Sequence, residues 1–129
     1  MNKLNLESVI GISALLVHAA NIDEIYSDHE KDLIKNFINS YVKDSDTNEI
    51  LKKAEKIESN SNQLLDYTNI IKKKYIDIKK DIIEHLWKVI ISDNSVDQYE
   101  ANLMRRICGL IYFPDKESAE IKMKLLNLK

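Results

Sequence analysis

Four acids occupy matching places in the two halves of this 129-residue chain. Asp23 and Glu30 are seven residues apart, as are Asp93 and Glu100, and the second pair lies 70 residues after the first (93 − 23). Carboxylate oxygens are hard ligands. A fold that pooled the two pairs would therefore offer a site for Ca²⁺, Mg²⁺ or Mn²⁺. The same residues have a reading that needs no ion. Glu30 follows Ser27 by three and Glu100 follows Asp97 by three, the spacing at which an acid reaches back to the amide ahead of a helix. A cap contributes roughly 1 kcal/mol and accounts for the placement by itself. On that reading Asp93 bonds the amides of its own turn.

Other site chemistries fail on spacing. Asp93, Ser95 and Asp97 alternate as in an EF-hand loop, but Gln98 takes the glycine position and Met104 the closing-glutamate position. The counterpart beginning at Asp23 puts Ile25 in a ligand position. His18, His29 and His85 share no i, i+4 spacing and have no cysteine nearby in sequence, so they make no zinc motif. His29, between Asp28 and Glu30, reads as a solvated histidine at a helix start. His18 and His85 read as core-helix histidines bonded locally. The single cysteine, Cys108, falls beside an apolar stripe and reads as a small buried hydrophobe in a reducing compartment. No glycine-rich phosphate loop, nucleophile with a candidate base, or metal triad is present, and the expected class is non-enzymatic.

Charge narrows the partners. A formal net charge of −2 and the lack of a recognition motif argue against nucleic acid. Lys72-Lys73-Lys74 with Lys79-Lys80 forms the basic run, read as a solvated helix face, with an acidic protein or an anionic membrane face as its alternative use. Arg105-Arg106 reads as a pair near a helix C-terminus, where the dipole favours cations. The opening MNKLNLESVIGISALLVHAA has an apolar stretch too short to span a bilayer, interrupted by Glu7 on its approach. It reads as a core helix of a cytoplasmic protein.

The elements that position these residues are helical. Two glycines and one proline leave few breakers, and 44% hydrophobic with 31% charged residues suits one soluble domain over 1–129. Apolar residues at helical spacing predict helices over 6–21, 28–41, 47–59 and 63–74, a fifth from 76 or 78 to 92, then 98–112 and 115–126, with Pro114 ending the sixth. Ile82, Ile83, Leu86, Trp87 and Ile90 make the longest apolar stripe, and Val17 falls on Trp87 at the offset of 70. The expectation is an all-α, seven-helix domain with a duplicated helical hairpin, its helices around Leu16 and Leu86 sharing one core.

LWKVIISDNSVDQYEANLMRRICGLIYFPDKESAEIKMK resembles the C-terminal half of the TerB-like family, named for tellurite resistance, and LLVHAANIDEIYSDHEKDLIKNFI resembles its N-terminal motif. The family's turn glycine is replaced by Asn94 in one turn and Glu24 in the other. Asparagine tolerates left-handed backbone better than glutamate does. The resemblance implies a helical module of tellurite or related stress systems. Two functions follow as expectations: a protein-interaction domain, or a divalent-cation binder using Asp23, Glu30, Asp93 and Glu100.

Overall fold

The first three helices of this computed structural model, which describes residues 4–22, 26–42, 46–60, 64–93 and 98–127 (the side chains of Leu64 and Asp93 apart), begin where short polar side chains meet free amides. Asn5 Oδ1 accepts from the Ser8 amide at 2.7 Å and opens α1, Leu6–Ala20. Ser27 opens α2, Asp28–Tyr41, through a full capping box: its hydroxyl accepts from the Glu30 amide at 3.1 Å while Glu30 Oε1 accepts from the Ser27 amide at 2.8 Å. Asp46 Oδ1 takes the amides of Asn48 at 3.0 Å and Glu49 at 3.4 Å ahead of α3, Thr47–Asn60. Then come α4, Leu64–Lys72; α5, Ile76–Ile90, prolonged by a 3-10 turn, Ile91–Asp93; α6, Gln98–Ile111; and α7, Asp115–Asn127. Among the described residues there are seven α-helices and no strand.

The duplication is legible in the helix bounds. α5 begins and ends 70 residues after α1 (76 − 6, 90 − 20), and α6 does the same relative to α2 (98 − 28, 111 − 41). Burial follows the register: Leu16 and Leu86, Val17 and Trp87, Phe37 and Ile107, and Glu30 and Glu100 are buried in pairs. Packing departs from it. α1 packs on α2, but α6 lays its main contact on α4, with α7 next, rather than on α5. The second half is therefore not the tight hairpin that the spacing predicts.

α1 is the centre. Its apolar residues face nearly every direction, and α2, α3, α4 and α5 pack around it. Val17 and Trp87 lie in the same core cluster. Between α2 and α5, the Phe37 ring meets Tyr41 at 5.1 Å and His85 edge-on at 5.2 Å. The Tyr41 hydroxyl donates to Asp81 Oδ2 at 2.6 Å. His85 Nδ1 donates to the Asp81 carbonyl at 2.9 Å, one turn back, as expected of a locally bonded core histidine.

α6 stops before the proline. Tyr112 adopts left-handed backbone, φ 61°, the Phe113 amide donates to the Cys108 carbonyl at 2.9 Å, and the Tyr112 amide donates to Gly109 at 3.4 Å. This pair of bonds is a Schellman cap, which closes the helix before Pro114 can. Arg105 and Arg106 are not at the helix end, where the sequence reading put them. They lie mid-helix and exposed, no basic residue stands in the last turn, and Arg105 donates to Asn102 Oδ1 at 3.4 Å.

Candidate functional site

The described flanks of the first polar turn, Asn21 and Tyr26, both bond to α3. Tyr26, at the end of that turn, donates its hydroxyl to Glu55 Oε2 at 2.6 Å, and the Lys31 ammonium sits 5.0 Å from its ring centroid. One turn along α3, Glu58 takes the Asn21 side-chain amide at 3.3 Å and His18 Nδ1 at 3.4 Å. His18 thus bonds across 40 residues, not locally as its place on a core helix suggested. Glu55 and Glu58 were invisible as site residues in the sequence. The available signal was their i, i+3 spacing beside the narrow stripe of Leu51 and Ala54, which puts both on the edge of α3 that faces α1.

These acids alter the tyrosine. Burial first, then the hydrogen bond and charge of Glu55, with Glu30 and Glu58 adding, push the Tyr26 hydroxyl well above its ordinary value of 10.0. Burial and Asp81 do the same to Tyr41. Both raised groups keep their protons in the folded protein after the unfolded chain has lost them. Their contribution is therefore fully present below about pH 10 and is lost as pH rises beyond it. Denaturant midpoints are expected to fall steeply between about pH 10 and pH 11, and Tyr26→Phe is expected to flatten that fall. A parent midpoint that stays level across this range would contradict the assignment.

Of the four sequence-predicted acids, Glu30 is buried and committed to the Ser27 cap, and Glu100 is buried at the equivalent place on α6. Asp23 lies outside the described residues, as do Asn94, Asp97 and Glu24, and of Asp93 only the backbone is described, in the 3-10 turn. Among the described residues, no group of three or more His, Cys, Asp or Glu could hold a metal ion. His29 is exposed. Cys108 is buried, and burial above all pushes its thiol up, with a bond to Ser118 opposing and Asp115 adding. Ser118 also accepts from Trp87 Nε1 at 2.9 Å, which ties α7 to α5.

Two surface features complete the candidate set. A groove of about 450 Å³ runs between α1, α3 and α4, with Ile10, Gly11, Ile57, Tyr67 and Ile70 as its apolar lining. Glu7 and Asp66 stand at its rim, as do Lys53 and Lys56. Gly11 shapes it: a Cβ there would overlap Ile70 Cδ1, so the glycine lets α4 lean onto α1. The second feature is the basic run, which is not the uniformly solvated face its composition predicts. Lys79 is buried, with its ammonium 6.0 Å from the Tyr112 ring centroid, and Lys72 stands over the same ring at 5.4 Å. Lys80 turns away to a separate cleft between α5 and α7.

An all-helical domain with two helix pairs in a 70-residue register, each preceded by or ending at a polar turn, is the class these observations define. The chain belongs to the TerB family: the family profile described as "Tellurite resistance protein TerB" matches residues 10–123. No curated protein and no solved structure matches the chain in the other two comparisons.

Proposed function

We propose that this TerB-family domain is a non-enzymatic interaction module of a cytoplasmic, stress-associated system, and that it takes an amphipathic segment of a protein partner into the groove between α1, α3 and α4. The observation that carries this reading is the groove itself. Ile57 is 41% exposed at its edge, an apolar side chain turned to solvent beside an apolar floor. Apolar grooves of this kind accept the i, i+3, i+4 face of a helix, with charged rims setting its direction. Lys53 and Lys56 on α3 and Glu7 and Asp66 on α1 and α4 supply rims of both signs. A photoreactive side chain in place of Ile57 is expected to give one discrete cross-linked adduct in cells, and the same group in place of exposed Ala119 on α7 is expected to give none. Equal labelling from both positions would contradict the proposal.

A second reading has one observation in its favour. Glu30 and Glu100, the two acids of the expected set Asp23, Glu30, Asp93 and Glu100 whose side chains are described, are both buried at equivalent places. A divalent cation among such acids would stabilise the fold by mass action, by about 2.7 kcal/mol at a concentration one hundred times its dissociation constant. Thermal melts in Ca²⁺, Mg²⁺, Mn²⁺ and EDTA separate the readings. The interaction module predicts the same midpoint in all four, because Glu30 is satisfied by its cap. A rise with one cation that EDTA reverses would favour the metal site.

A further inference from the structure

The link from α4 to α5 places Lys72, Lys73, Lys74, Tyr75 and Ile76 in succession. Tyr75 is 84% exposed and Ile76 54% exposed. Tyr112, 69% exposed, is fastened beside them by the ammonium groups of Lys72 and Lys79 over its ring. Its left-handed backbone is a place where glycine is the ordinary residue, so a bulky aromatic is kept there at a conformational cost. Three exposed apolar or aromatic side chains thus share one knuckle with Lys72, Lys73 and Lys74, while Lys79 is buried; Asp77, Asp81, Asp115 and Glu117 are the acids in the adjoining stretches. Neither the groove of α1, α3 and α4 nor the cleft between α5 and α7 is lined by any of these aromatic or isoleucine side chains.

We infer that this knuckle docks on the anionic face of a phospholipid bilayer. Each lysine near such a surface strengthens partition by roughly fivefold, tyrosine rings settle at headgroup depth, and an exposed isoleucine adds a shallow apolar anchor. The charge is complementary, and the contact is peripheral, because no helix among the described residues is long and apolar enough to cross a membrane. An acidic protein is the competing occupant of the lysines, and the polyglutamate arm of the test below separates it from the bilayer. The surface is separate from the partner groove, so the two proposals fail independently.

Co-sedimentation of the full chain with vesicles tests it, using pure phosphatidylcholine against a mixture with about one-third phosphatidylglycerol. Partition onto the anionic vesicles is expected to be at least roughly tenfold stronger, and to vanish near 1 M salt, where screening acts within about 3 Å. Lys73→Glu with Lys74→Glu is expected to lower it by roughly tenfold or more. Tyr75→Ser with Ile76→Ser is expected to weaken it several-fold while the preference for anionic lipid persists, and this second pair remains informative if the charge reversal disturbs folding. Equal partition onto both vesicles, no partition, or partition unchanged by either folded variant overturns the inference. Binding to soluble polyglutamate without binding to vesicles also overturns it, and assigns the lysines to an acidic protein.

Discussion

Trp87→Ala is expected to lower the unfolding free energy by about 3–5 kcal/mol, the range for deleting a large aromatic from a packed core. Trp87 is only 5% exposed, at the centre of the α5 stripe, and it ties α5 to the last helix. Truncation leaves a cavity between α5 and α7. It also strips Ser118 of the indole donor at 2.9 Å, and removes the ring that Lys122 covers at 5.3 Å. Urea unfolding monitored by far-UV circular dichroism measures the loss. A change below about 1 kcal/mol would mean that the stripe does not face the core.

The second large effect is expected at Phe37. It is fully buried, and its ring touches Tyr41 and His85 in tilted and edge-on geometries. Aromatic pairs of this kind add about 0.5–1.5 kcal/mol beyond the area they bury, so Phe37→Ala is expected to cost about 3–5 kcal/mol in total. The variant also frees Tyr41 to move off Asp81, and Phe37→Leu, which keeps most of the volume, is expected to recover more than half of the loss. Equal losses for alanine and leucine would place the energy in the ring contacts rather than in the volume.

Local rules made much of this fold readable. The bounds of α2 are those of the 28–41 expectation, because Ser27 and Glu30 form the cap their spacing announces. The offset of 70 between Asp23 and Asp93 reappears in the bounds of two helix pairs, since an insertion-free repeat preserves its register. What could not be read were contacts between elements distant in sequence. Nothing local says that Glu55 meets Tyr26 or that Glu58 meets His18, 29 and 40 residues away. Nor does local pattern say that α6 chooses α4 over α5. The end of α6 falls within one residue of the expected Tyr112, but how it ends was hidden: proline is a visible stop, whereas a tyrosine in left-handed backbone gives no sequence warning. The groove was hidden as well, because a glycine within an apolar helix reads as a mere tolerance until Ile70 is found against it.

Gly11→Ala, followed in two channels, tests the interaction module most directly. Alanine gains roughly 1 kcal/mol of helix propensity over glycine. Its methyl displaces only the flexible end of Ile70, so the melting midpoint is expected to stay close to that of the parent. The displaced Ile70 side chain has the groove to enter, and cross-linking from position 57 to the partner is therefore expected to fall sharply in a protein that remains folded. Cross-linking at the parent level, with the fold intact, would contradict the assignment of partner capture to this groove.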